Sequence, residues 1–170
     1  MNTEAFTYRP ERPDDDPAIE ALHQEVFGPG RFARAAYRLR EGVAHDRLLS
    51  FVAHANQRLV ASVRLTPIAI GDRPALLLGP LVVIPSVKGQ GAGKKLVRMG
   101  VEAARRAGHN IVLLVGDEDY YGPLGFQQLE PYAIALPGPV DPARVLVSGL
   151  AEGALDGLSG QARAANGETK

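Results

Sequence analysis

Residues 81–95 read Leu-Val-Val-Ile-Pro-Ser-Val-Lys-Gly-Gln-Gly-Ala-Gly-Lys-Lys, an apolar run followed by three glycines at alternate positions and two lysines. From Lys94 to Ala107 the apolar residues share one helical face and the charged residues the other. The stretch therefore predicts a strand, a glycine loop and an amphipathic helix. The backbone N–H groups of such a loop, at the positive end of a helix dipole, can bind a phosphate or pyrophosphate.

Two familiar phosphate-binding motifs do not fit this loop. A P-loop ending at Lys94 needs glycine at position 88 and a hydroxyl residue at position 95, where the chain has Lys88 and Lys95. The dinucleotide-binding fingerprint needs glycine at position 94 or 96, where Lys94 and Leu96 stand. The loop therefore disfavours an ATPase and a Rossmann nucleotide-binding unit.

The surrounding sequence indicates an α/β domain with a mixed sheet. Three β-rich runs within residues 48–84 predict an antiparallel meander. Pro80 lies in its last strand and predicts a bulge or a break in pairing, because proline cannot donate to the ladder. The apolar run Ile111–Val115, reached through a helix, predicts a buried strand parallel to the one before it. Further expected elements are a strand over 6–9, a helix ending before Gly28, a basic helix over 31–40, a short helix or turn over 117–124, and strands over 126–134 and 143–150.

Composition narrows the classes of function. The chain has 170 residues, no cysteine and a formal net charge of zero. The lack of cysteine excludes a disulfide scaffold, thiolate metal sites and a cysteine nucleophile. Zero net charge provides no basic field for nucleic acid or anionic lipid, so neither a nucleic-acid nor a membrane partner is expected. Without a signal peptide or a spanning segment, the expected location is cytoplasmic. Residues 157–170 have the composition of a flexible tail.

Two elements resemble the GNAT superfamily of N-acetyltransferases. Lys88 to Gly93 is similar to the family's acyl-CoA loop, Q/R-x-x-G-x-G/A, with Lys88 in the first position and Gly91 and Gly93 in the small ones. Tyr121 to Phe126 is similar to the family's Y-x-x-x-G-F ending, in a Tyr-Tyr form that resembles a small single-domain bacterial type. The resemblance implies a GNAT domain over residues 6–150, whose mixed, mostly antiparallel sheet is splayed between strands 4 and 5 and flanked by helices.

The same resemblance implies the chemistry of the site. Acetyl-CoA is the implied co-substrate, with no metal, and the acceptor is a small-molecule amine or a protein amino group. Tyr121 is implied as the general acid that protonates the CoA sulfur. A homodimer is a further implication of the family. The implied cofactor-binding residues are Leu81, Val82, Val83, Lys88, Gly89, Gln90, Gly91, Ala92, Gly93, Lys94 and Tyr120.

Several alternatives stay open at this point. The residues alone do not select the general base, for which ordered water and the side chains His45, His54, Asp117, Glu118 and Asp119 are candidates. A non-catalytic acyl-CoA-binding sensor or interaction module would keep the glycine loop and have no need of Tyr121. A structural protein that pairs through the edge of its meander would bind no CoA.

Overall fold

The computed structural model describes residues 5–28 and 35–165. Its strands are β1 (Phe6–Pro10), β2 (Phe51–Ala55), β3 (Arg58–Ile70), β4 (Arg73–Val83), β5 (Ile111–Val115), β6 (Gln127–Gln128), β7 (Ile134–Ala135), β8 (Val145–Gly149) and β9 (Gly160–Ala164). Its helices are α1 (Asp16–Phe27), α2 (Ala35–Arg40), α3 (Ala92–Arg106) and α4 (Glu118–Tyr121). None of the helices within these ranges is long and apolar enough to cross a lipid bilayer.

The strands form a mixed, mostly antiparallel sheet in the order β1-β2-β3-β4-β5-β8-β6. The pairs from β1 to β4 are antiparallel, as expected of a meander. The pair β4–β5 is parallel, because α3 carries the chain back across the sheet between them. The predicted fold class and its parallel junction are both confirmed.

The core lies on both faces of this sheet. Successive residues of β5 alternate between two apolar clusters: Val112 and Leu114 belong to one, Ile111 and Leu113 to the other. Because side chains of a strand alternate between its faces, the two clusters are the two faces of the sheet. α3 buries its apolar face in the first cluster, and Leu39 of α2 packs in the second.

The sheet opens between β4 and β5. These strands pair only at Leu76–Val112 and Leu77–Leu113, although β4 continues to Val83. Just beyond this point β4 carries an extra residue relative to β3, since Val63 pairs with Leu81 and Leu65 pairs with Leu78. Gly79 and Pro80 fill that bulge, as the position of the proline predicted. The expected splay is therefore present, and it begins beside the bulge.

The expected flexible tail over 157–170 is wrong for its first part. Residues 160–164 form β9, which pairs antiparallel with the end of β3 and parallel with β7. Leu158, just before β9, and Ala162, within it, are buried in the second cluster, and these two apolar side chains fix the segment there. Polar and small residues between them hid this pattern in the sequence. Residues 166–170 of the expected tail lie outside the described part of the chain.

Two other predicted elements differ from the structure. The expected strand over 126–134 is two short strands, β6 and β7, separated by a turn in which Tyr132 adopts a positive φ of 66°. The expected basic helix over 31–40 is helical over Ala35–Arg40, and residues 31–34 lie outside the described part of the chain.

The first prediction concerns the residues that lead into β9. Leu158→Ala is expected to lower the free energy of unfolding by ~2–4 kcal/mol, because it removes a buried side chain and leaves a cavity. Urea denaturation measures the change. Ser159→Ala, at the neighbouring exposed position, is the control and should change stability by less than ~0.5 kcal/mol. Equal stability of the two variants would show that this segment does not belong to the core.

Candidate active site

A cavity of about 920 Å³ occupies the opening of the sheet. Its floor is β4 from Leu78 onwards, one wall is the glycine loop with the start of α3, and another is the end of β5 with α4. The opposite end is closed by α1, α2 and the chain around His45. The cavity thus connects the predicted cofactor loop to a second, chemically distinct region.

The glycine loop presents backbone N–H groups to this cavity. Gly89 and Gly91 have positive φ values of 84° and 95°, and Gly91 is the N-cap of α3 without a side-chain cap. The first N–H groups of a helix have no partner within the helix, so they can bind an anion. Lys88 and Lys94 line the same part of the cavity and add positive charge. This arrangement suits a phosphate or pyrophosphate.

Two tyrosines at the end of α4 form the wall that faces the loop. Their rings meet edge to face at 4.7 Å between centroids, and Tyr121 makes a second such contact with Phe126 at 6.0 Å. The Tyr120 hydroxyl lies so close to Gly93 that an added Cβ there would be 2.7 Å from it. Burial raises the pKa of Tyr121 to about 12, so its hydroxyl is protonated at neutral pH.

A charged cluster lies at the opposite end. The Glu11 side chain is fully buried and accepts hydrogen bonds from Arg64 Nε at 2.9 Å, from Arg47 and from His45 Nε2. Asp16 accepts from Arg47 Nη2 at 2.8 Å and from Arg64 Nη2 at 3.0 Å. Burial raises the pKa of Glu11, but the hydrogen bonds from His45 and Arg64 outweigh it and hold the pKa below its ordinary value.

A family comparison agrees with this geometry. The family model described as "Acetyltransferase (GNAT) family" matches residues 16–126, which include α1, the sheet opening, the glycine loop and the tyrosine pair. The chain belongs to the acetyltransferase (GNAT) family. The matched residues account for the resemblance seen in the loop and in the Tyr121 element, and they extend it to the strands between α1 and α3.

Similar proteins agree with the assignment. The N-acetyltransferase YjhQ of Escherichia coli K12 is 29% identical over 131 residues, covering 75% of this chain and 72% of that relative. The N-acetyltransferase YhbS of the same strain is 28% identical over 155 residues, covering 89% and 92%. The crystal structure of Escherichia coli YhbS with CoA has a TM-score of 0.80 at 25% identity, covering 96% and 92%. A GNAT acetyltransferase of Brucella melitensis with acetyl-CoA has a TM-score of 0.59 at 27% identity, covering 90% and 99%. This GNAT chain is an N-acetyltransferase.

Most of the residues predicted for the cofactor site of this GNAT protein line the cavity, as does Tyr121. Two do not. The Val82 side chain is buried in the core, so only its backbone is available at the opening. The Gln90 side chain is exposed and lies outside the cavity lining. The residues that line it are Leu81, Val83, Lys88, Gly89, Gly91, Ala92, Gly93, Lys94, Tyr120 and Tyr121.

The structure separates the candidate bases. His45 and Asp117 line the cavity, whereas His54 lies on β2 outside it and Glu118 and Asp119 are exposed on α4 outside the lining. The Asp117 side chain is 75% exposed, whereas that of His45 is 17% exposed. Among these five side chains, only His45 therefore combines access to the cavity with shielding from bulk water.

Sequence reasoning did not identify the polar residues at the far end. Arg64 and Thr66 stand two positions apart on β3, so both point to the same face of the sheet and into the cavity. The sequence did contain a signal for them: two polar residues at alternate positions in an otherwise apolar strand indicate a polar patch on one face of the sheet. Glu11 gave no such signal, because its partners Arg47 and Arg64 are 36 and 53 residues away.

The second prediction tests how Tyr121 is held. A Cβ added at Gly116 would lie 2.4 Å from Tyr121 Cε2 and 2.8 Å from its Cδ2, and the ring is confined by Tyr120 and Phe126. Gly116→Ala is therefore expected to lower the free energy of unfolding by ~1–3 kcal/mol in urea denaturation. Gly122→Ala is the matched control, because its added Cβ meets only Glu118 Cγ, at 3.8 Å. A Gly116→Ala protein as stable as the control would contradict this packing.

Proposed function

We propose that this protein transfers an acetyl group from acetyl-CoA to a primary amine by direct attack of the amine on the thioester. Three features that meet in one cavity carry the proposal: β4 backbone without a β5 partner, a glycine loop at a helix N-terminus, and the hydroxyl of the half-buried Tyr121. The structures of the similar proteins with CoA and acetyl-CoA support the choice of co-substrate.

The cofactor region binds by backbone more than by side chains. β4 beyond Leu77 has no β5 partner, so its N–H and C=O groups can pair with the amides of the pantetheine arm, with Leu81 and Val83 facing the cavity. The N–H groups of the loop and of the first turn of α3 bind the pyrophosphate. Lys88 and Lys94 supply positive charge. Lys88 stands where the family pattern has glutamine or arginine; it keeps the positive charge of the arginine form and lacks its planar fork.

Acyl transfer needs a polarised carbonyl and a proton for the departing sulfur. A backbone N–H near Val83 polarises the thioester carbonyl. The amine nitrogen forms its bond to the carbonyl carbon, the carbon–sulfur bond breaks, and Tyr121 donates a proton to the sulfur. The chain has no cysteine, which is consistent with a path that needs no thiol ester on the enzyme.

The alternative is a non-catalytic acyl-CoA-binding module. Such a module needs the loop and the open sheet, but it does not need a hydroxyl in the cavity. Tyr121 lines the cavity, and a tyrosine hydroxyl is protonated at neutral pH, so a proton donor is present where the sulfur would leave. This supports the enzyme over the module.

The third prediction concerns the cofactor loop. Gly91→Glu is expected to weaken acetyl-CoA binding by ~10-fold or more in calorimetric titration, because it adds a negative charge where the pyrophosphate binds. Gly108→Glu is the matched control: φ is 91° at Gly108 and 95° at Gly91, and an added Cβ at either meets no atom within 4 Å. Gly108 follows the opposite end of α3, so this variant should bind normally. A folded wild type that binds no acyl-CoA would refute both CoA-dependent functions.

The fourth prediction concerns the general acid. Tyr121→Phe is expected to reduce kcat by ~10²-fold or more with unchanged acetyl-CoA affinity, since it removes only the proton donor. Release of free CoA thiol in the presence of a panel of primary amines measures the rate. Tyr132→Phe serves as the control, because Tyr132 is exposed and lies outside this cavity. An unchanged kcat in Tyr121→Phe would exclude the acid role.

A further inference from the structure

His45 lies next to the middle of β3. The backbone N–H of Asp46 donates to the Leu65 carbonyl at 2.8 Å, and the Asp46 side chain accepts from Leu48 N at 3.0 Å. These bonds fix the chain before β2 against β3. His45 and Arg64 both contact Glu11, Thr66 stands two positions after Arg64 on β3, and all three residues line the cavity.

Glu11 determines which nitrogen of His45 carries the proton. Two carboxylates, Glu11 and Asp16, face two guanidinium groups, Arg47 and Arg64, so the cluster is already balanced in charge without His45. Glu11 is therefore held as an ionised carboxylate, which can only accept hydrogen bonds. His45 Nε2 must then be the protonated donor to Glu11. The neutral imidazole is left with a free lone pair on Nδ1.

A second polar group at this place lacks a partner. Thr66 is 1% exposed, and within the part of the chain that the structure describes its Oγ1 has no hydrogen-bond partner. Leaving a buried hydroxyl unpaired is costly, so a polar group in the cavity is expected to bond it. Thr66 pairs with Leu77, immediately before the bulge at Gly79 and Pro80. A polar ligand is thus expected between His45 and the open end of β4.

We propose that His45 is the general base of the transfer reaction, with Glu11 as its positioning residue and the Thr66 hydroxyl as a contact to the acceptor nitrogen or to a water bound to it. The proposal rests on the proposed acetyl transfer. Nδ1 of His45 removes one proton from the acceptor ammonium, which makes the nitrogen lone pair available, and this proton is released to solvent. After the nitrogen has bonded to the carbonyl carbon, it loses a second proton. This proton restores the one that Tyr121 gave to the sulfur.

Asp117, the other of the five side chains considered from the sequence that lines the cavity, is less suited to this role. Its side chain is mostly exposed and faces Arg144, with Oδ1 3.3 Å from Nε. An exposed carboxylate that already contacts a guanidinium is hydrated and engaged, so it gives an acceptor amine no shielded proton-accepting partner. The His45 imidazole is instead largely shielded from bulk water, lines the cavity, and is oriented by its contact with Glu11.

The test compares two acceptors small enough to enter any acceptor pocket. Methylamine is an ammonium ion at pH 7 and needs a base, whereas hydroxylamine is neutral at pH 7 and does not. His45→Gln is expected to lower kcat/KM for methylamine by ~10²-fold while affecting hydroxylamine much less. CoA thiol release measures both rates, and His109→Gln, a variant of a histidine outside the cavity, is the control. A loss that is equal for the two acceptors, or no loss, would overturn the role of His45.

The tautomer of His45 is a second readout that needs no acceptor. Long-range ¹H–¹⁵N NMR of histidine-labelled wild-type protein is expected to show His45 protonated at Nε2 and bare at Nδ1, the signal being assigned by its absence in His45→Gln. Glu11→Gln, checked for folding by thermal melting, is expected to weaken this preference. A neutral His45 protonated at Nδ1 refutes the base even in a protein that acetylates methylamine. A wild type that binds acetyl-CoA but acetylates no amine of the panel, methylamine and hydroxylamine included, counts against the proposed transfer to a primary amine and leaves the tautomer result to decide on His45.

Discussion

The separation of β4 from β5 after the Leu77–Leu113 pair is the constraint on which the rest of the site depends. A strand that loses its neighbour exposes N–H and C=O groups that must find other partners. The bulge at Gly79 and Pro80 lies at this point, where β4 no longer needs to match a neighbour on both sides. The consequence is a cavity whose floor is backbone, open to any ligand that carries amides of its own.

Two glycines of the site make room for the tyrosine pair. Gly93 and Gly116 lie on opposite walls of the cavity, and each leaves the space that a tyrosine occupies: the Tyr120 hydroxyl above Gly93, and the Tyr121 ring against Gly116. A side chain at either position would displace an aromatic ring that also contacts its neighbour edge to face. The loop, α3 and α4 are therefore coupled by contact, and the tyrosine pair keeps a defined position relative to the phosphate-binding turn.

The parts of the structure that could be predicted are those encoded by nearby residues. The glycine loop, the face of α3, the bulge at Pro80 and the tyrosine element each depend on fewer than about twenty consecutive residues, and all were expected from local pattern. The strand at 160–164 was missed because its ladder partners, Ile68 to Ile70, lie far away in the sequence. Leu158 and Ala162 alone are too few to show a periodic pattern. Arg64 and Thr66 were overlooked for the same reason. A polar side chain in a strand can be assigned to a site only when the residues on the opposite wall of the cavity are known, and these residues are distant in the sequence.

The cluster of Glu11, Asp16, Arg47 and Arg64 holds several segments together at the far end of the cavity. Glu11 would be strongly unfavourable in the interior by itself, and a guanidinium alone there would be equally so. Two carboxylates facing two guanidiniums remove the net charge, and the directions of their hydrogen bonds fix β1, α1, β3 and the chain before β2 against one another. His45 is tied to this balanced set through Nε2, and the residue lines the cavity. A fixed imidazole suits a base, because a proton is transferred only between atoms held within hydrogen-bonding distance.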